Sequence, residues 1–365
     1  MSVANLLLEV DPNDLLGLTA ALVDIPSVSK DEKLICDYLE EYVSIIRPSA
    51  NVVRVKNSIV VQLNHDKSDE LPVIFAGHSD TVPPASSGDS ANPSRIDGDK
   101  LYGLGTSDMK SGLAIMLRLL HNIEEKSTFI FYEAEEISDE FNGLCFLARD
   151  HPELLEGKWA ILLEPTDGEL EMGCQGSINA NISFKGVAAH SARPQLGENA
   201  IYKSLETLNK IKAKSENVET FEIDSMSYTE SIQVTILNGG KATNVVPDNV
   251  TFNLNYRYAP SRSKKEAISL ISDLCEDADV IDVYDVLEGA MPAFNHPLVE
   301  IAKAKNITIL PKVAWTDVAR FYALGVPALN CGPGYVDMCH KADEHTSIKL
   351  LDITYDLLSE LVDNK

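Results

Sequence analysis

Three short apolar runs, at 73–76, 129–132 and 160–163, are separated by stretches with helical spacing near 110–124 and 139–150. A run of about four apolar residues suits a buried strand and is too short for a buried helix. Strand–helix alternation of this kind predicts an α/β layered domain with a largely parallel or mixed sheet. Upstream, residues 12–24 and 31–46 carry helical spacing of Leu, Ile, Val and Tyr, interrupted at Ile25-Pro26-Ser27.

The middle of the chain follows another rule. Residues 177–185 alternate as a strand, 199–214 are spaced as a helix, and 231–237 and 250–258 are two more strands joined by a turn containing Gly, Asn and Pro. A helix over 263–276 and a strand over 280–286 complete the order βαββαβ, the ferredoxin-like arrangement. From about 297 the chain returns to αβαβα, as though resuming its first domain. At 365 residues it also exceeds a comfortable single core. The expectation is a discontinuous catalytic domain over 1–176 and 289–365, with an inserted ferredoxin-like lid over 177–288.

Charge narrows the partners. The formal net charge of -25 argues against nucleic acid, since no phosphate-binding face of Lys and Arg is concentrated anywhere. It equally opposes an anionic membrane surface. No stretch reaches bilayer-spanning length. The start, Met1-Ser2-Val3-Ala4-Asn5, lacks the basic region of a signal peptide. The six cysteines form no CxxC pair, so reduced thiols in a cytoplasmic protein are expected rather than disulfides or structural zinc at Cys331 and Cys339.

The apolar runs end in side chains suited to chemistry. Gly77-His78-Ser79-Asp80-Thr81-Val82-Pro83 follows the first, at the strand end where open α/β sheets hold ligands. There His78 can ligate a metal through one ring nitrogen while Asp80 orients the ring. A lone His in that place is more often a hydrogen-bonded structural residue, and the later motifs shift the balance. Gly103-Leu104-Gly105 invites a nucleotide-loop reading, but the third glycine is out of register and no Walker lysine pattern follows. The glycines read better as a tight turn presenting Asp108, whose two oxygens can bridge two ions. Glu135 and Glu136 end the second run. Adjacent side chains of a strand point oppositely, which suits one ligand and one base. Glu164 ends the third run before Pro165, and His340 comes late, in Cys339-His340-Lys341. Nitrogen and oxygen ligands of this sort suit zinc, with cobalt or manganese as lesser options.

In this order, the motifs GHSDTVP, GLGTSDMKSG, AEE, EPT and the late His340 resemble the dinuclear zinc aminoacylase, carboxypeptidase and desuccinylase family over almost the whole chain. Glu171-Met172-Gly173-Cys174-Gln175-Gly176, Ala189-His190-Ser191-Ala192-Arg193 and the stretch from Trp315 to Phe321 bring it nearest the actinobacterial desuccinylase branch. The resemblance implies a zinc-peptidase-like three-layer catalytic domain with a mixed sheet, and a lid that also dimerises. It implies two zinc ions per subunit bridged by Asp108, one adding His78 and Glu164, the other Glu136 and His340. Glu135 would be the general base, with Asp80 behind His78. His190 would cross to the other subunit's site and help stabilise the oxyanion. Asn244, Arg257 and Thr316 match substrate contacts, and Arg193 is a further candidate.

The implied substrate is a small anionic acyl-amino acid, N-succinyl-LL-2,6-diaminopimelate foremost. An acetylornithine-type acyl-amino acid or a small dipeptide would use the same machinery, and an inactive metal-binding dimerisation module would lack a ligand or the base. Gln175 and Val313-Ala314-Trp315 depart from many desuccinylases, which have Arg and a Gly-rich run at those places.

Overall fold

The apolar runs become the centre of an eight-stranded sheet in a computed structural model, which describes residues 5–65, 69–88 and 93–363. Residues 1–4, on which part of the leader reading rests, lie outside that set. Val73–His78 runs parallel to Ser127–Tyr132 on one side and to Trp159–Leu162 on the other. Ala328–Asn330 extends the parallel set beside Trp159–Leu162. Every residue of Val73–His78 and Ser127–Tyr132 is buried, which is why these strands read as continuous apolar runs rather than alternating ones. The antiparallel hairpin of Asn51–Val55 and Ser58–Leu63 flanks the set on one side and Leu170–Met172 on the other, making the sheet mixed.

Helix Lys110–Asn122 packs on the strands Val73–His78 and Ser127–Tyr132, and on the helices Leu15–Val23 and Ile348–Asp363. Close approach explains the glycine before His78. A Cβ at Gly77 would press on Met109 Cε, from the residue just before that helix, and on Leu113 Cδ2 from the helix itself. Phe75 and Phe129 stack across the parallel pair with centroids 5.1 Å apart.

The chain divides into two compact units: Met1–Met172 with Ala293–Leu310 and Arg320–Lys365, and Gly173–Pro292 with Pro311–Ala319. The second unit is built on a four-stranded antiparallel sheet in the order Ser231–Gly239, Asn249–Tyr258, Gly176–Lys185, Val280–Leu287. Its core gathers Ile178, Ile182, Phe184, Phe252, Leu254 and Ile271 against the helices Ala200–Glu216 and Lys264–Leu274. The helix starts are legible: Asn199 caps the first, and Ser263 with Glu266 forms a capping box on the second.

Two features differ from the sequence reading. A hairpin of Thr220–Ile223 and Met226–Thr229 stands between the first helix and the second strand of this unit. Its turn is Asp224-Ser225 with φ of 47° and 71°, and without glycine it carries no strong hairpin signal. The helix expected over 139–150 begins only at Gly143, because Asn142 accepts from the Leu144 and Cys145 amides and terminates the preceding turn.

Candidate metal centre

Strand ends deliver most of the polar side chains. His78 is the last residue of its strand, and its Nδ1 lies 3.1 Å from the Asp80 carbonyl oxygen and 3.3 Å from the Asp80 carboxylate. With the Nδ1 proton given to Asp80, the Nε2 lone pair is free to ligate. That Nε2 is 3.2 Å from Asp108 Oδ1. His340 Nε2 lies 3.4 Å from Asp108 Oδ2 and 3.0 Å from Glu136 Oε1. Asp108 therefore turns one oxygen to each imidazole. Two donor groups result, His78 with Asp108 and Glu164, and Asp108 with Glu136 and His340, each with its ligand atoms within 4.8 Å of one another. Asp108 belongs to both, which makes the centre dinuclear. The nitrogen and carboxylate donors suit zinc.

Electrostatics supports a cation in each group. Burial works against protonated His78, yet hydrogen bonds to Asp108 and Asp80 hold its pKa well above the usual histidine range. Hydrogen bonds to Asp108 and Glu136 bring His340 up to about 10, with burial opposing. Burial would raise Asp108, but its bonds to His340 and His78 keep its carboxyl far below the ordinary value. The carboxylates thus favour positive charge at both imidazoles, a role that a divalent ion held by each donor group would fill.

Buried anions hold the loops that carry these ligands. Asp80, fully buried, accepts from the Glu135 amide at 3.0 Å, the Glu136 amide at 3.2 Å and Ser29 Oγ at 2.7 Å. Glu32 Oε1 accepts from the Ala134 amide at 3.1 Å, where Ala134 sits at φ 56°. The strand ends at Tyr132, so Glu135 and Glu136 lie in a turn. Their separate placement therefore comes from this loop, not from the opposite faces of a strand. Glu136 enters a donor group and Glu135 enters neither. Glu164 is buried just past Trp159–Leu162, and a Cβ at Gly332 would collide with its carbonyl oxygen. On the other side, Gly105 at φ 81° lets the 103–108 turn close ahead of Asp108, and the Asp108–Met109 peptide is cis. The Glu344 carboxylate receives the amides of Gly105, Ser107 and Asp108, and burial pushes its carboxyl up to about 7.

Sequence reasoning missed Glu32, Ser29 and Glu344. Glu32 reads as the polar lead-in to a helix and Glu344 as one acid among the polar residues after His340. The signal is burial, and no local pattern reports it.

The remaining candidates belong to the second unit. His190 is exposed, its Nδ1 accepts from the Ala192 amide at 3.0 Å, and it bridges to Val245. The Ser191 amide donates to the Asn244 carbonyl oxygen at 2.9 Å, so the His190 and Asn244 segments are neighbours. Arg193 is exposed on the same segment. Arg257, on Asn249–Tyr258, is half-buried and donates from Nε to Asn255 Oδ1 at 3.3 Å; burial lowers its pKa. Thr316 is buried with its hydroxyl unpartnered among the described residues. Gln175 Nε2 donates to the Thr229 carbonyl oxygen at 2.9 Å.

Comparison with known proteins agrees with this centre. A Mycobacterium tuberculosis protein, provisionally named a succinyl-diaminopimelate desuccinylase, is 38% identical over 350 residues, covering 94% of this chain and 97% of its own. The succinyl-diaminopimelate desuccinylase of Corynebacterium glutamicum is 39% identical over 354 residues, covering 92% of this chain and 94% of its own. A tripeptidase structure from Staphylococcus aureus shares the fold at TM-score 0.76 and 20% identity, over 97% of this chain and 98% of that one. The model of peptidase family M20/M25/M40 matches residues 74–364, from the strand that ends in His78 to the last helix. With both donor groups inside that match, the chain belongs to peptidase family M20/M25/M40.

Proposed function

We propose that this chain is a zinc amidohydrolase that cleaves N-succinyl-LL-2,6-diaminopimelate into succinate and LL-2,6-diaminopimelate. The observation that carries the chemistry is Asp108, which offers Oδ1 to the His78 group and Oδ2 to the His340 group. The substrate comes from the desuccinylases that are 38% and 39% identical along nearly their full lengths.

His78, Asp108 and Glu164 would hold one zinc and Asp108, Glu136 and His340 the other, and bound there zinc would supply polarisation of the amide carbonyl and a water of lowered pKa. Glu135, outside both groups and fixed through its amide by Asp80, takes the proton of the attacking water. It then returns that proton to the departing amine. Asp80 holds the His78 ring in the tautomer that leaves Nε2 available.

The second unit supplies recognition in this reading. Its strand order supports a ferredoxin-like lid; the three-layer catalytic domain and the homodimer formed through the lid rest on the family resemblance. The catalytic domain is taken as 1–176 and 289–365 with the lid over 177–288; the compact unit built on the lid sheet runs slightly wider, Gly173–Pro292, and also includes Pro311–Ala319. His190 acts on the oxyanion of the partner's site. Arg257, bonded here to a neutral amide, is suited to a substrate carboxylate, with Arg193, Asn244 and Thr316 as further contacts. No described helix is long and apolar enough to cross a membrane, which fits a cytoplasmic enzyme for a small anionic metabolite.

The test is a substrate panel with zinc supplied. N-succinyl-diaminopimelate should exceed acetylornithine and dipeptides in kcat/KM by roughly 10–100-fold, the size of one lost charge-assisted contact. A preference for acetylornithine or a dipeptide would retain the machinery and reject the proposed substrate.

A further inference from the structure

Glu344 belongs to neither donor group, yet it is only 1% exposed while its neighbours Lys341, Ala342 and Asp343 face solvent. Its carboxylate reaches back to the turn before Asp108. Oε2 accepts from the Gly105 amide at 3.0 Å, and Oε1 accepts from the Ser107 amide at 2.9 Å and the Asp108 amide at 3.0 Å. Its carbonyl oxygen accepts from the Gly103 amide at 3.1 Å. Successive N–H groups turned toward one point form a concavity that binds an anion. In this protein the anion is a side chain of the same chain, from the loop that begins at His340.

Other contacts join the same two segments. Ser107 Oγ donates to the His345 carbonyl oxygen at 2.8 Å and accepts from the Tyr335 amide at 3.0 Å. A Cβ at Gly334 would collide with the Ser107 carbonyl oxygen. These contacts fix Ser107, whereas the Glu344 carboxylate bonds the backbone of the shared ligand itself. The two segments it joins carry Asp108 and His340, whose relative placement brings Oδ2 to within 3.4 Å of the imidazole.

We propose that Glu344 is a positioning residue: it locks the 103–108 turn to the His340 loop, so that Asp108 turns one oxygen to the His78 group and the other to the His340 group. The proposal rests on the dinuclear reading of the centre. Glu344→Gln places an amide N–H2 against backbone N–H groups and removes the charge that gathers them. Glu344→Asp keeps the charge but falls one methylene short.

Metal-free wild type and both variants are titrated with zinc and cobalt, with circular dichroism as the check on folding. Wild type should take up two ions. The folded variants should bind both about 10–100-fold more weakly, the usual cost of losing a partner behind a metal ligand. Their cobalt absorption should differ from wild type, and excess metal should recover kcat with KM little changed. A folded variant with wild-type affinity and cobalt spectrum overturns the proposal. Should Glu344→Gln not fold, Glu344→Asp decides by the same measurement. Failure of both to fold would make Glu344 a structural residue first and also overturn it. Uptake of fewer than two ions by wild type would instead remove the dinuclear reading.

Discussion

The ligand loops of the first unit and the candidate recognition segments of the second are held in different ways. Around the metal centre, buried carboxylates grip backbone amides: Asp80 those of Glu135 and Glu136, Glu32 that of Ala134, Glu344 those of Gly105, Ser107 and Asp108. The segments of His190, Arg193 and Asn244 are exposed and joined by main-chain bonds, such as Ser191 N to Asn244 O at 2.9 Å and Val246 N to Ala189 O at 2.8 Å. Geometry that must be right for the chemical step is fixed in advance by groups that cost much to leave unpaired. The segments of His190, Arg193 and Asn244 are left to looser contacts, which a substrate itself can order.

The sharpest way to break this contrast is inside the rigid half. Glu135→Gln should keep about two zinc ions per chain while kcat falls by about 10²–10⁴-fold, the usual contribution of a general base. Metal analysis beside steady-state kinetics checks it. Zinc lost together with activity would make Glu135 a ligand and leave the base unassigned. Next in size is Asp108→Ala, which should deplete both ions, whereas Glu136→Ala should deplete mainly the one beside His340. Equal single-ion occupancy in the two variants would mean that Asp108 does not bridge.

A looser half should show its effects in KM. Arg257→Ala should raise KM for a dicarboxylate acyl-amino acid by roughly 10–100-fold with metal content unchanged. An unchanged KM would remove the proposed contact. Mixing a His190→Ala chain with a Glu135→Gln chain should restore up to about half of the heterodimer's normal activity, since one site then has both residues. Exchange demonstrated without recovery would show that His190 does not act across subunits.

What the sequence made legible follows the same divide. Two of the ligands, His78 and Glu164, lie at the ends of apolar runs and are read directly from the rule that a parallel sheet buried on both faces leaves its strand ends as the place for polar side chains. The middle unit is legible because its strands alternate and its helices carry standard caps. Glu32 and Glu344 are not legible. Each sits in a polar stretch that looks solvated, and only long-range hydrogen bonds, spanning 102 and 236 residues, show that it is an interior anion. The Asp224-Ser225 turn escaped for a local reason, since two non-glycine residues at positive φ give no hairpin signature.

The smallest effect expected concerns charge in the rigid half when metal is removed. Without metal, bonds to Asp108 and Glu136 bring the folded pKa of His340 to about 10, against an ordinary value of 6.5. Between those values the folded chain holds a proton that the unfolded chain has lost. The stability from His340 is therefore complete below about pH 6.5 and is lost as pH rises toward 10. Burial of Lys110 acts in the opposite sense: its folded pKa of about 7 lies below the ordinary 10.5, so its contribution rises with pH over that range. The raw slope of metal-free wild type mixes the two. The difference between wild type and His340→Ala isolates one. Thermal unfolding of both metal-free proteins at pH 6.5, 8 and 9.5 should show the variant losing less stability with rising pH. The gap should be modest, because His340 is half-exposed and solvent screens its pairs. Saturating zinc should abolish it, since a zinc-ligating imidazole is neutral throughout this range. Parallel slopes in the metal-free proteins would show that the carboxylates at this centre do not hold the His340 proton.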